Sequence, residues 1–76
     1  MKELLELIAR SFVDKPDEVS VAEIDEGDAI VFELIVAQDE LGKVIGRQGR
    51  TAKAMRTILG TAGLKMGRRF VLEILE

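Results

Sequence analysis

The spacing of hydrophobic residues changes three times along this chain, and those changes narrow the possible folds more than any other feature. Helical spacing of three to four residues covers 1–12, 39–45 and 50–62, whereas the β-branched or alternating pattern of a strand covers 19–25, 30–37 and 69–75. The order is helix, strand, strand, helix, helix, strand. Because three strands need an apolar cover, this order predicts a two-layer α+β fold with a three-stranded sheet covered on one face by three helices.

Proline, glycine and aspartate predict where these elements stop and start. Pro16 is expected to end the first helix, since proline disfavours helical geometry in the preceding residue and lacks a backbone donor. Residues 26–28, Glu-Gly-Asp, fit a tight turn, so the first two strands are interpreted as a hairpin. Asp39 is the expected start of the second helix, and Gly46 is its expected end.

The run 30–37 is apolar on both faces of the predicted strand. Four residues share the face expected to meet the core, namely Ile30, Phe32, Leu34 and Val36. Four aliphatic residues of two strands share the opposite face, namely Val31, Ile35, Val71 and Leu75. If the helices cover only the first face, this second set forms an exposed patch, which often marks a site for a protein partner. Isolated surface aliphatic residues are also common, so both interpretations stay open.

Charge is divided unevenly along the chain, although the net charge is only -3. Residues 1–40 contain twelve acidic and three basic side chains, whereas residues 41–72 contain eight basic side chains and no acidic one. A basic half of this kind predicts a polyanion as partner. The alternative is that the basic helices and an acidic sheet belong to one solvated surface.

Several classes of function are excluded by what the chain lacks. It has no cysteine and no histidine, which removes disulfides, thiolate zinc sites and most nucleophile–base pairs. No Walker or dinucleotide-binding glycine pattern is present, so we expect no enzyme, no cofactor and no small-molecule substrate. No apolar run reaches the roughly 20 residues that span a membrane, and the acids in 1–6 do not fit a signal peptide. We expect a cytoplasmic protein with one domain over residues 1–76.

The segment Gly46-Arg47-Gln48-Gly49 joins the second and third predicted helices and is the candidate functional site. Glycine tolerates positive φ and lets another backbone come close. The first amides of the following helix lack partners within the helix, and the helix dipole favours an anion there. Lys43, Arg50 and Lys53 add positive charge around the segment. Together these properties predict a contact with the phosphate backbone of a nucleic acid.

A second pair of glycines with the same spacing, Gly60 and Gly63, shows that glycines alone identify little. This pair has no basic residue between its members and falls where the third helical pattern fades, so it is interpreted as a breaker at the end of that helix. For the first pair, the competing interpretation is a glycine at position 46 that only caps the second helix. Its basic surroundings favour the interpretation as a nucleic-acid site.

The hexapeptide Val44-Ile45-Gly46-Arg47-Gln48-Gly49 resembles the signature V-I-G-x-x-G of KH domains, including the basic residue inside the loop. The order αββααβ resembles the type II arrangement of that family over essentially the whole chain. The segment 41–56 is similar, more narrowly, to small bacterial proteins that consist of a single KH domain. The resemblance implies recognition of single-stranded RNA, about four nucleotides per domain, with the loop clamping the backbone.

The resemblance also implies which residues bind RNA. The RNA-binding residues are Lys43, Val44, Ile45, Gly46, Arg47, Gln48, Gly49, Arg50 and Lys53. By the same resemblance, a groove for the bases is expected to be lined by Val44, Ile45 and part of strand 30–37. The three aromatic residues, Phe12, Phe32 and Phe70, all fall on predicted core faces, so aliphatic and hydrogen-bonded base contacts with loose sequence preference are expected.

A post-transcriptional regulator or RNA chaperone would fit this kind of binding. The resemblance further implies association, either with a second copy as a homodimer or with a larger KH-containing protein. Two alternatives remain at this point. The chain could bind single-stranded DNA, or it could serve as a protein-interaction module through the open face of the sheet.

Overall fold

The computed structural model describes residues 1–76 and has three helices on one side of a three-stranded sheet. The helices are α1 (Lys2–Arg10), α2 (Leu41–Ile45) and α3 (Arg50–Met66), and the strands are β1 (Ser20–Asp25), β2 (Ala29–Ile35) and β3 (Arg69–Ile74). Short 3-10 turns occupy Pro16–Glu18, Gln38–Glu40 and Arg47–Gly49. The predicted order and the α+β class are confirmed. None of the three helices has the length and apolar content needed to cross a bilayer.

The central strand of the sheet is β2, which pairs antiparallel with β1 and parallel with β3. The hairpin between β1 and β2 is confirmed, and its turn contains Gly27 at a φ of +88°. The backbone amide of Gly27 donates to Oδ1 of Asp25 over 2.8 Å, which fixes the turn. Because parallel strands need a crossover connection, the chain between β2 and β3 must pass over the sheet. That crossover consists of α2 and α3 and carries the loop between them.

The core lies between the helices and the covered face of the sheet. Its fully buried large side chains come from all three helices and from β2: Leu5, Val44, Met55, Leu59, Phe32 and Leu34. The rings of Phe32 and Phe70 meet edge to face with centroids 5.4 Å apart, so these two aromatics lie in the core as predicted. Val44 is the only residue of α2 that is buried. Full burial of a valine side chain contributes about 1.5–3 kcal/mol to the free energy of folding.

The first helix ends at Arg10, well before the proline that was expected to end it. The hydroxyl of Ser11 donates to the carbonyl of Leu7 over 2.8 Å, and the amide of Phe12 donates to the carbonyl of Ala9, three residues back, over 3.1 Å. The amides of Asp14 and Lys15 donate to the side chain of Glu40 instead. Pro16 instead begins a 3-10 turn. Because the helix stops early, the Phe12 side chain leaves the core face and is 48% exposed. The prediction of a core position for Phe12 is therefore wrong.

The third helix runs through Gly60 and Gly63, so the prediction of a break at these glycines is wrong. The helix ends at Met66 and is followed by Gly67, whose φ is +68°. The amide of Gly67 donates to the carbonyl of Leu64, and the amide of Arg68 donates to the carbonyl of Gly63 over 2.8 Å, a Schellman arrangement. A Cβ on Gly63 would collide with the carbonyl oxygen of Arg68, so this glycine permits the close return of the chain into β3.

Candidate nucleic-acid interface

The loop between α2 and α3 has a backbone conformation that glycine permits at both ends. The φ angle is +82° at Gly46, +57° at Gln48 and +73° at Gly49. Gln48 is the only residue other than glycine that has a positive φ in the chain. The amide of Gly49 donates to the carbonyl of Gly46 over 3.0 Å and closes the turn. Three positive φ angles in four residues make this segment a tight turn of defined shape rather than a flexible linker.

The two glycines of the loop serve different purposes. An ideal Cβ on Gly46 would lie 2.8 Å from Cβ of Thr51 and 2.9 Å from the Thr51 backbone nitrogen, so Gly46 is required for space as well as for conformation. No atom lies within 4 Å of the corresponding position at Gly49, whose glycine serves conformation alone. Gly46 also ends α2, since its amide donates to the carbonyl of Gly42 over 2.9 Å. The capping role and the tight turn therefore coincide at one residue.

The start of α3 is open to an anion. No side chain caps its first amides, and its first turn contains no acidic residue. Amides at such a helix start point outward without intrahelical partners, and the helix dipole adds partial positive charge. On the rim, the Arg50 guanidinium donates to Oε1 of Gln48 over 2.9 Å, which holds these two exposed side chains together across the loop.

Some of the basic side chains near the loop form ion pairs within the protein, and others do not. Four basic residues are exposed and form no ion pair: Arg47, Arg50, Lys53 and Arg56. Lys43 differs, because its Nζ lies 2.7 Å from Oδ2 of Asp14 and 3.2 Å from Oε2 of Glu40. The hydrogen bond to Asp14 raises the pKa of Lys43 above its usual range. Lys43, a predicted binding residue, therefore lies against two carboxylates, which neutralise its positive charge.

A groove of about 220 Å³ lies beside the loop. It is bounded by the end of α2, the loop, the first half of α3 and the end of β3, and its lining residues are Ile45, Gly49, Ala52, Arg56, Ile74 and Glu76. Ile45 lies in the groove as expected. Arg56 was not among the predicted binding residues, although its position four residues after Ala52 puts it on the same face of α3.

Two predictions about the groove are wrong. Val44 does not line it, because its side chain is fully buried in the core (0% exposed) and points away from the loop surface. Strand 30–37 does not line it either. The strand residue in the groove is Ile74 of β3, because β3 is the edge strand under α3 and β2 is the central one. Lys53 lies outside the groove, beside Arg50 on a neighbouring face of α3.

The α2 helix is fastened to the segment after α1 by a buried carboxylate. Glu40 is 3% exposed, and its Oε1 accepts the backbone amide of Lys15 over 2.9 Å while Oε2 accepts the amide of Asp14. The Asp14 amide, together with Lys43, holds the pKa of Glu40 below its usual range. Asp39, the expected start of α2, does not cap the helix but pairs with Nζ of Lys15 over 3.0 Å.

A second groove of about 300 Å³ lies between α1 and α3, on the other side of Arg50. Its lining is largely apolar and consists of Ile8, Phe12, Arg50, Thr51, Ala54, Met55 and Ile58. Phe12 and Ile58 are 48% and 41% exposed. The expectation that no aromatic residue is accessible is therefore wrong, because Phe12 borders this groove.

The open face of the sheet is less exposed than the sequence suggests. Val31 is buried, since Ile24 of β1 and Val71 of β3 flank it in register. Ile35 and Leu75 remain 41% and 39% exposed. The predicted patch therefore shrinks to the two exposed residues at one end and Ile24 at the other.

A three-stranded mixed sheet, three helices in the order αββααβ and a glycine loop between the last two helices define a KH domain of type II. The chain matches the family model described as KhpA/KhpB, KH domain, over residues 2–74, and it belongs to that family. It is 53% identical to the RNA-binding protein KhpA of Clostridium acetobutylicum over 99% of this chain and 100% of the relative. It is 54% identical to the protein of the same name from Aquifex aeolicus, over 100% of this chain and 96% of the relative.

A further relative, the RNA-binding protein KhpA of Halalkalibacterium halodurans, is 50% identical over the full length of both chains. These names state a binding function and no reaction. No solved structure matches the chain.

Proposed function

We propose that this chain binds single-stranded RNA by holding the phosphate backbone at the loop Gly46–Gly49, with the bases in the groove beside it. The observation that carries the proposal is the tight glycine turn placed directly before an uncapped helix start. A phosphate there would meet outward-pointing amides and the favourable end of a helix dipole. The names of the relatives support RNA as the polymer.

Different side chains around the loop are suited to the phosphates and to the bases of the RNA. Arg47 and Arg50 are exposed on or next to the loop and form no ion pair, so they are available to phosphate oxygens. Ile45 and Ile74 offer aliphatic surface to the base faces, and Arg56 offers donors to base edges. Because no aromatic residue lines this groove, stacking contributes little and sequence preference is loose.

The proposed activity suits a post-transcriptional regulator or RNA chaperone that contacts many transcripts weakly. Its cytoplasmic location and its action as one domain stay predictions from the sequence. Preference for RNA over single-stranded DNA requires a contact to the 2′-hydroxyl, so a DNA oligonucleotide of the same sequence belongs in every binding experiment.

The test replaces two loop residues that make no core contact. Arg47→Asp with Gln48→Asp is expected to abolish binding of a fluorescent single-stranded RNA while circular dichroism and Tm stay near the wild-type values. A charge-matched control, Lys65→Asp with Thr61→Asp, changes two exposed residues late in α3 and is expected to keep most of the affinity. The loop proposal is wrong if the loop variant binds RNA as tightly as the wild type.

A second function, association with another copy or with a larger KH-containing protein, is supported by the apolar groove between α1 and α3. We propose that this groove, rather than the open sheet face, is the contact surface, because it is bordered by Phe12, a 48% exposed aromatic side chain with no counterpart on the sheet face. Sedimentation of the chain with Ile58→Lys is expected to give a monomer, whereas Ile35→Lys on the sheet face still associates. A monomeric wild type at high concentration would exclude self-association.

A further inference from the structure

The helix that leads into the loop is too short to hold its own position. The α2 helix has five residues, and isolated helices shorter than about 12–15 residues are marginal in water. Its orientation must therefore come from contacts with the rest of the protein. Near its end, Val44 is buried in the core. At its start, the only buried charged residue of the chain, Glu40, supplies the second attachment.

The attachment at Glu40 reaches across the sequence. Its two carboxylate oxygens accept the backbone amides of Asp14 and Lys15, which lie 26 and 25 residues earlier. Oε2 also accepts Nζ of Lys43 over 3.2 Å, and the same Nζ binds Asp14 over 2.7 Å. Glu40 thus links α2 to the segment between α1 and β1 twice, directly through the two backbone amides and indirectly through Lys43.

A carboxylate is the side-chain group that matches this environment. Two backbone N–H groups and one ammonium all point at Glu40, so the site offers only donors. An ionised carboxylate is acceptor-only, whereas a glutamine would bring its own NH₂ donor against one of the amides. Burial of a charge is unfavourable unless it is paired and hydrogen-bonded, and here every buried side-chain polar atom has a partner.

We propose that Glu40 is a positioning residue for RNA binding: its buried carboxylate fixes the start of α2 to Asp14 and Lys15, and thereby fixes the direction in which Gly46–Gly49 faces the RNA backbone. The inference rests on the proposed RNA-binding function of the loop. Glu40 itself is buried and does not touch RNA. Its effect passes through a helix of little more than one turn, which also contacts the core through Val44 and Leu41.

The sign of the change in affinity separates positioning from simple electrostatics. Glu40→Gln removes one negative charge, and a pure charge effect would strengthen binding to a polyanion. Loss of positioning weakens binding instead. Asp39→Asn is the matched control, because it removes the same charge from the adjacent residue, which is exposed and holds only the Lys15 side chain.

The experiment measures the RNA dissociation constant and amide hydrogen exchange for the three proteins. Glu40→Gln is expected to stay folded and to bind RNA about tenfold more weakly, which corresponds to about 1.4 kcal/mol. Amides of Gly46–Gly49 should exchange faster in this variant, while those of β2 and the middle of α3 stay protected. Asp39→Asn is expected to bind as tightly as the wild type or slightly more tightly, with unchanged exchange in the loop.

The outcomes separate this inference from the proposed function beneath it. If the wild type and Asp39→Asn fail to bind single-stranded RNA, the proposed function is wrong. If they bind and a folded Glu40→Gln binds equally well, the positioning role is wrong. Should Glu40→Gln fail to fold, Glu40→Asp, which keeps the charge but is one methylene shorter, replaces it with the same expectation of weaker binding. Loss of fold in both variants would assign Glu40 to stability alone and overturn the inference.

Discussion

Thr51 occupies the space that a side chain on Gly46 would need. The Cβ and the backbone nitrogen of Thr51 lie 2.8 Å and 2.9 Å from the position of an ideal Cβ on Gly46. The φ and ψ angles of Gly46, +82° and 169°, also fall in a region that is essentially limited to glycine. The first residue of the loop is therefore constrained twice, once by backbone conformation and once by the first turn of α3.

Replacement of Gly46 by alanine is expected to destabilise the fold and to abolish RNA binding. The backbone conformation alone costs about 1–3 kcal/mol for a residue with a Cβ, and the contact with Thr51 adds to it. Gly42→Ala in α2 is the control, because no atom lies within 4 Å of its Cβ position and its φ is not positive. That control should be neutral or up to about 1 kcal/mol more stable. Urea unfolding measures both, and equal stability of the two variants would contradict the prediction.

The two glycines inside α3 provide a second matched pair. Gly63→Ala places a Cβ against the carbonyl of Arg68 and 3.3 Å from the amide nitrogen of Phe70, so the start of β3 must shift. We expect a loss of about 1–3 kcal/mol, the usual range for overpacking. Gly60→Ala faces open space and should raise stability by about 0.5–1 kcal/mol. Thermal unfolding curves of the two variants should therefore move in opposite directions from the wild type.

Removal of a loop cation should change the salt dependence of RNA binding. Each phosphate contact on a single strand contributes about 0.7 to the slope of log affinity against log salt. Arg50→Ala is expected to lower the slope by about that amount and to weaken binding. Lys65→Ala changes an exposed cation of the same helix about 22 Å further along its axis and should leave the slope unchanged. Anisotropy titrations at several salt concentrations test this, and equal slopes for both variants would contradict it.

Acid should destabilise the protein through carboxylates that are paired in the fold. Lys43 lowers the pKa of Asp14, the amide of Gly27 lowers that of Asp25, Lys15 lowers that of Asp39, and the amide of Asp14 lowers that of Glu40. A group with a depressed pKa stabilises the fold above its unfolded pKa of about 4, and that contribution is lost as the pH falls through the folded pKa. The free energy of unfolding should be nearly constant from pH 7 to about pH 5 and should then fall.

One variant checks the carboxylate assignment in the hairpin turn. Asp25→Asn keeps an oxygen that can accept the Gly27 amide but removes the titrating charge and the ion pair with Arg68, which lies 3.1 Å away, so it should reduce the acid-induced loss of stability. Glu26→Gln removes the same charge from the next residue, whose side chain makes no hydrogen bond, and should leave the acid profile as in the wild type. Urea unfolding at several pH values compares the three proteins.

Local patterns in the sequence were sufficient for the element order and for the loop. Helical and alternating periodicities depend on which face of each element is buried, so they identify α1, α3 and the strands directly. The glycine loop was also predictable, because Gly46 and Gly49 satisfy a local backbone requirement. The parallel pairing of β2 with β3 was not predicted, although the two helices between these strands supply the crossover that it needs.

The predictions that failed depended on contacts between distant parts of the chain. Phe12 continues the helical stripe of α1, but the helix stops at Arg10, and the amides of Asp14 and Lys15 beyond it donate to Glu40, 25 residues or more away. Gly63 looks like a helix breaker in sequence, yet its purpose is space for the chain that returns as β3. The resemblance to KH domains assigned Val44 to the groove, but the orientation of the five-residue α2 places its side chain in the core.

The acidic and basic parts of the sequence lie at opposite edges of the folded protein. The acidic strand β1, which contains Glu23 and Asp25 and no basic residue, forms one edge of the sheet, while the basic α3 lies over β3 at the opposite edge. The protein therefore has an electric dipole across its sheet, despite a small net negative charge. In the field of a polyanion such a molecule is turned during diffusion, so that its α3 side leads. Under the proposed function, this orientation would raise the fraction of encounters in which the RNA first meets the loop side of the protein.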